Sequence, residues 1–241
     1  MYLHVALLPA LVGPSPQVCV VVDVIRASTT LVTLLDRGAA EILIAAHPDA
    51  ARRYAAAHPD TVLAGEELGV APPGFNYGNS PVELSRAQVR GKTVAFVTTN
   101  GTAAIRAVES TGPVLVGALR NAAAVCRQAQ ATAHEIDAGI TIVCAGREGA
   151  FGIDDAYTAG CLVDGLLTGI DGDLTDAATA ALRLYRTEPD PASLFRHSAA
   201  GRNVIGLGLG DDVTYCLQRD ASTAVPRLGG ELFLLEAVDT R

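Results

Sequence analysis

The sequence has no tryptophan, a single lysine (Lys92) and a single methionine (Met1), and only 5% of its 241 residues are aromatic. Its core must therefore rest on Val, Leu, Ile and Ala. Cysteine is sparse and scattered. Cys19, Cys126, Cys144, Cys161 and Cys216 contain no C-x-x-C pair, and an odd, dispersed set argues against a disulfide framework. Cys19 and Cys144 fall in apolar strand-like runs, where a thiol behaves as a small hydrophobe. Basic runs are missing and the formal net charge is -8, so the electrostatic footprint of a nucleic-acid binder is lacking. No run of ~18 apolar residues exists to span a bilayer. Met1 to His4 has no basic character, and Pro9 and Pro14 interrupt the apolar stretch that follows, so no signal peptide is expected. These absences predict a cytoplasmic protein with neither nucleic acid nor membrane as partner. The sequence also lacks G-x-G-x-x-G, a Walker A loop, H-E-x-x-H and G-x-S-x-G. His4, His47, His58, His134 and His197 show no zinc spacing and read as structural or surface residues, with His197 set apart only by its neighbours Arg196 and Ser198.

With 49% hydrophobic and 18% charged residues, the chain is globular and long enough to bury a sizeable core. Its length fits a single domain, with the option of two lobes because the texture changes near residue 150. Apolar runs at 2–8, 18–23, 41–45, 61–64, 93–98, 114–117 and 139–144 read as strands. Helical patterns occupy 29–36, 48–57, 102–110 and 122–133 between them. Beyond Asp154 the patterns at 155–168, 174–186 and 192–197 are helical, with one further strand at 231–235. This alternation predicts a layered α/β/α fold with a largely parallel or mixed central sheet and a more helical C-terminal part. The strands are continuously apolar, as in a sheet covered on both faces. A mean hydropathy of +0.30 is high for an isolated chain and predicts a homodimer contact.

Several strand ends carry polar clusters, and strand ends are where open α/β sheets bind ligands. After Val18 to Val22 come Asp23, Arg26, Ser28, Thr29 and Thr30. Asp23 suits a metal ligand or a nucleophile, Arg26 a phosphate or carboxylate clamp. Ser28 and Thr29 can bind an anion at a helix start. The structural alternative is that Ser28 caps the helix and Asp23 pairs with Arg26. After Thr93 to Val97, the Thr98-Thr99-Asn100-Gly101-Thr102 stretch repeats the logic. Asn100 suits an N-cap, and Gly101 admits a ligand to the backbone. The long loop from Gly65 to Pro81 holds Glu66, a candidate metal ligand, and Asn79, a candidate for a substrate oxygen. Ser80-Pro81-x-Glu83 reads as a capping box. Cys144-Ala145-Gly146-Arg147 ends another strand, and Asp154-Asp155 opens a helix. The acids suit either a helix dipole or a hard cation, and Arg147 a further anion contact.

Taken in order, these motifs resemble the 2-phosphosulfolactate phosphatase family. The matching features are Asp23-x-x-Arg26-Ala27-Ser28-Thr29-Thr30, Gly65-Glu66, Gly74-Phe75 with Gly78-Asn79-Ser80-Pro81, and Thr99-Asn100-Gly101-Thr102. Cys144-Ala145-Gly146 with Asp154-Asp155, then Asp212-Val213-x-x-Cys216 with Val225-Pro226, extend the likeness over nearly the whole chain. Two positions depart from it: Asn76 stands where an Asp is expected, and Asp154-Asp155 where a Glu-Asp pair is common. The resemblance implies a Mg²⁺-dependent phosphatase that converts 2-phosphosulfolactate to sulfolactate and phosphate, a step toward coenzyme M in some organisms. With it, Asp23, Arg26 and Asn100 become the expected catalytic residues. Ser28, Thr29, Asn79, Gly101, Thr102 and Arg147 become the expected substrate contacts, and Asp23, Glu66, Asp154 and Asp155 the expected Mg²⁺ ligands. The competing readings are a phosphohydrolase for another small phosphorylated acid and a non-catalytic anion-binding protein. The second would not need four acids.

Overall fold

A computed structural model describes residues 2–13, 17–168 and 173–235 of the chain. In chain order it runs β1 (Tyr2–Ala6), β2 (Gln17–Val22), α1 (Ala27–Asp36), β3 (Glu41–Ala45), α2 (Pro48–Ala57), β4 (Val62–Gly65) and α3 (Pro81–Leu84). There follow β5 (Thr93–Val97), α4 (Asn100–Val108), β6 (Val114–Val116), α5 (Ala122–Glu135), β7 (Gly139–Cys144) and α6 (Ile153–Leu166). The C-terminal part holds β8 (Asp173–Leu174), α7 (Asp176–Thr187), α8 (Pro191–His197), α9 (Ala199–Gly206), α10 (Gly210–Cys216) and β9 (Leu232–Leu235).

The fold is layered α/β with parallel strands, and its strands divide between two sheets. One has the order β6-β2-β7-β1-β8 and the other β4-β5-β3-β9, with parallel pairing throughout the described ladders. The two-residue period of the strands sorts their side chains cleanly. Val18, Val20 and Val22 of β2, with Ile140 and Ile142 of β7, pack against Val125 and Ala129 of α5 and Leu162 and Leu166 of α6. The alternate residues Cys19, Val21 and Val143 face the other way. They share a core with Leu31 and Leu34 of α1, Ile105 and Val108 of α4, and Ile42, Ile44 and Phe96 of the second sheet. The far face of that sheet, Ala45, Leu63, Ala95 and Val97, packs on Ala50 and Ala51 of α2. Helices α1 and α4 thus lie between the two sheets. β2 and β7 are buried along their whole length, which accounts for their unbroken apolar sequence.

Helix boundaries follow local chemistry. Thr175 accepts from the Ala178 N–H and starts α7 after a short strand, where the sequence pattern had suggested helix from Leu174. Asp190 and Ser198 cap α8 and α9 in the same way. The five cysteines are buried free thiols. Among the described residues no helix is long and apolar enough to cross a membrane.

Candidate active site

The C-terminal ends of β2 and β7 from one sheet, and of β4 and β5 from the other, open onto one cavity of about 330 Å³. Asp23, Arg26, Glu66, Asn79, Thr98, Thr99, Asn100, Arg147, Asp154 and Asp155 line it. The motifs seen separately in sequence meet here because parallel strands all point their C-terminal ends to the same side. Each sheet sends a tight hairpin to the rim. Glu67 pairs with Val70, and Arg147 with Ala150. The central residues Leu68-Gly69 and Glu148-Gly149 all have positive φ, the pattern of two-residue hairpin turns.

Arg26 is 4% exposed, and its partner is Asp212 rather than Asp23. Its Nη1 donates to Asp212 Oδ2 at 2.9 Å and its Nη2 to the Gly69 carbonyl at 2.9 Å. Asp212 also accepts from Ser80 Oγ at 2.6 Å, so one buried carboxylate of α10 orients the guanidinium and the start of α3. Ser80 caps α3 by accepting from the Glu83 N–H at 3.1 Å. Glu83 does not close the expected box. Its Oε2 accepts from the Gly78 N–H at 3.0 Å instead, pinning the preceding loop. Asp212 was visible in sequence only as part of a C-terminal pattern. Its signal was a carboxylate on the same helical face as the apolar Cys216, four residues on.

The four acids reach the cavity with different freedom. Glu66 accepts from Gly69 N–H at 2.6 Å through Oε2 and from Thr99 N–H at 2.8 Å through Oε1, joining the hairpin to the start of α4. Asp155 accepts from Val24 N–H at 2.9 Å and Gly146 N–H at 3.0 Å, joining the ends of β2 and β7. Both therefore spend an electron pair of each oxygen on the backbone. Asp23 accepts only a long bond from Ala27 N–H at 3.4 Å. Burial pushes its carboxyl up to about 7, assisted by the charges of Glu66 and Asp154 and opposed by the Ala27 N–H and Arg26. Burial likewise raises Asp154 to about 6, against its own N–H, Ser198 and Arg147. Asp155 is held well above the ordinary carboxylate range by burial, then by Asp154 and Asp23. Among the described residues no group of three His, Cys, Asp or Glu side chains is arranged to hold one ion. All four expected acids line the cavity, Glu66 and Asp155 with both oxygens also accepting backbone N–H groups, Asp23 with a single long one.

Several expected substrate contacts are turned inward. Ser28 Oγ accepts from Asp23 N–H at 2.7 Å, and Thr29 Oγ1 donates to the Val24 carbonyl at 2.9 Å. Both hydroxyls shape the β2–α1 turn and are fully buried. Asn100 is the first residue of α4 and not its cap. Its Oδ1 accepts from the Glu148 N–H at 3.2 Å and so reaches the opposite hairpin. Gly101 brings α4 against α1. A Cβ there would stand 2.9 Å from Ala27 Cβ and 3.1 Å from Asp23 Oδ2, so the glycine serves the close approach of two elements at the Asp23 carboxylate. Thr102 is buried, and its Oγ1 has no partner among the described residues. At the end of β4, Gly65 has φ +130, and a Cβ would overlap the Val97 carbonyl at 2.1 Å. Asn76 accepts from Leu63 N–H at 2.8 Å and extends the edge of β4. His197 bonds within α8 to the Ser193 carbonyl, away from the cavity wall.

The paired parallel sheets and the cavity at their strand ends define an α/β protein with a site lined by acids and arginines. The sequence profile of the 2-phosphosulpholactate phosphatase family matches residues 7–231. A Deinococcus radiodurans protein named "Probable 2-phosphosulfolactate phosphatase" is 45% identical over 229 residues, 95% of this chain and 93% of that one. Relatives of the same name from Thermus thermophilus and Symbiobacterium thermophilum are 41% and 35% identical. They cover 96% and 91% of this chain, and 96% and 95% of their own. The chain belongs to the 2-phosphosulfolactate phosphatase family.

Proposed function

We propose that the protein is a phosphoric monoester hydrolase that releases phosphate from 2-phosphosulfolactate and leaves sulfolactate. The observation that carries this reading is the cavity itself, with a buried arginine and ionisable carboxylates facing one space, in a chain that matches the family almost end to end. In the reaction the oxygen of water bonds to phosphorus, the phosphorus–ester oxygen bond breaks, and the ester oxygen takes up a proton. Arg26, held in place by Asp212, keeps donors for the phosphoryl oxygens, whose charge grows as the bonds exchange. Arg147, 34% exposed at the rim, meets a carboxylate of the substrate, and Asn79 an oxygen near the ester. Asn100 holds the Arg147 hairpin in register.

Mg²⁺ fits the residues present. It takes one or two carboxylates and completes its shell with waters and substrate oxygens. Asp23 and Asp154 supply two, and their mutual repulsion in a buried site is what a cation relieves. When bound, the ion neutralises phosphoryl charge and polarises the attacking or leaving oxygen. Asp23 must be ionised to meet either the ion or phosphorus.

Phosphate release from 2-phosphosulfolactate and a panel of phosphorylated hydroxy acids tests this reading. Release that needs Mg²⁺, stops with EDTA and is fastest on 2-phosphosulfolactate is the expected result. Because protons compete for Asp23 and Asp154, the Mg²⁺ requirement should rise as pH falls through 7 and 6. No release from any compound would favour a binding protein, and a different preferred acid would reassign the substrate. We also propose a cytoplasmic homodimer. Leu68 and Phe151 stand 88% and 51% exposed at the cavity mouth, more apolar surface than a lone chain gains from. Sedimentation at twice the 24.8 kDa chain mass is expected, and a single-chain mass would remove the dimer.

A further inference from the structure

We infer that the amide oxygen of Asn79 belongs to the coordination shell of the Mg²⁺ ion proposed above, as a neutral ligand beside the carboxylates of Asp23 and Asp154. This inference rests on the reading that the cavity holds that ion. Asn79 lines the cavity and is 4% exposed, and its Oδ1 has no partner among the described residues. Buried acceptors are nearly always answered, and leaving one empty is costly. The chain around Asn79 leaves it little freedom to turn away. The Gly78 N–H donates to Glu83 Oε2 at 3.0 Å, and Ser80 Oγ donates to Asp212 Oδ1 at 2.6 Å. Thr30 Oγ1 donates to the Asn79 carbonyl at 3.4 Å. Both neighbours and the backbone of Asn79 are therefore held, and the side-chain amide is left to the cavity.

Chemistry decides what can answer this oxygen. An amide oxygen accepts and cannot donate. The ionised carboxylate, sulfonate and phosphoryl groups of the substrate are acceptors too, so none of them can meet it. Arg26 turns one terminal nitrogen to Asp212 and the other to the Gly69 carbonyl. A cation is the partner that suits an acceptor in this place. Acids outnumber arginines five to two along the cavity lining, and a cleft lined by one sign of charge concentrates the opposite ion. Among the described residues no three His, Cys, Asp or Glu side chains are arranged around one ion, so a shell built here must draw on neutral oxygens. Mg²⁺ accepts such a shell, because it needs only one or two carboxylates among its oxygen ligands. A carbonyl-type oxygen has the hardness that Mg²⁺ prefers. The Nδ2 of the same amide keeps its role toward an oxygen near the ester, so one side chain joins ion and substrate.

The test measures Mg²⁺ binding by titration calorimetry on the whole chain without substrate. Wild type, Asn79→Ala and Asn79→Asp are compared, with melting curves to verify folding. Asn79→Ala should bind Mg²⁺ about tenfold more weakly, the scale of a lost polar contact to a charge. Asn79→Asp keeps an oxygen and adds a charge, so it should bind at least as tightly as wild type. The rise in melting temperature on adding Mg²⁺ should follow the same order, largest for Asp and smallest for Ala. Equal Mg²⁺ affinity in wild type and Asn79→Ala overturns the inference and leaves the oxygen to a bound water. An Asn79→Asp variant as weak as Asn79→Ala also overturns it, because a carboxylate can replace an oxygen ligand but not an N–H donor. A wild type that binds no Mg²⁺ overturns it together with the metal reading. Phosphate release is measured separately. The expected order of Mg²⁺ affinities without release from any compound upholds Asn79 as a ligand and removes only the activity.

Discussion

Asp23→Asn is expected to lower kcat on 2-phosphosulfolactate at least about a thousandfold, the scale set by removing a charged group from the reacting centre. The amide keeps the shape and the acceptor for Ala27 N–H, but it can neither hold a cation as a carboxylate does nor attack phosphorus. The same change should make the metal-free protein more stable. The Asp23 carboxyl is raised from 3.8 to about 7, so the folded state binds its proton more tightly than the unfolded chain does. For an acid raised in this way, stability is greatest below pH 4 and declines as pH rises from about 4 to about 7. Asn carries no such penalty. In EDTA the variant should melt above wild type at pH 8, with the gap closing toward pH 4. Phosphate release and melting curves check both halves. Wild-type turnover would take Asp23 out of the site, and a lower melting temperature at pH 8 would contradict the account of its burial.

Asp212→Ala is expected to cost about 3–5 kcal/mol, because it strands the Arg26 charge in the interior, 4% exposed, without its counter-ion. It also removes the acceptor of Ser80 Oγ and loosens the start of α3. For a chain of this size, each kcal/mol shifts the melting temperature by about 2–4 °C, so a fall of roughly 10 °C should be visible. Activity should be lost as well, since the guanidinium is no longer oriented. The double variant Arg26→Met/Asp212→Leu separates the two effects. Replacing a buried pair by apolar groups is often neutral or stabilising, so melting should recover while turnover stays lost. Recovery of both would mean that Arg26 has no part in catalysis.

Much of this was legible from residue order. Short, β-branched apolar runs such as Val18 to Val22 read as strands covered on both faces, and their polar followers mark a ligand end. Asp23, Arg26, Glu66, Asn100, Arg147 and the Asp154-Asp155 pair do line one cavity. The capping chemistry of Ser80 was also readable, because a cap depends on residues within one turn. Other elements were beyond such reading. The helices α9 and α10 are only eight and seven residues long, too short to show a sustained period, and are held by packing on the core through Val204, Val213 and Cys216. Ser28 and Thr29 looked like anion binders because a hydroxyl before a helix has the same sequence whether it faces ligand or backbone.

The sequence alone determined the class of fold, the strand ends that carry chemistry and the family, since period and local motifs are properties of neighbouring residues. Only the tertiary structure decided that those strands belong to two sheets, with α1 and α4 between them. It also decided that Arg26 answers to Asp212, 186 residues away, and that of the four acids lining the cavity Glu66 and Asp155 also brace loops. A carboxylate's role depends on which donors reach it and how much water is removed. Both are set by chain segments far apart in sequence that packing brings together.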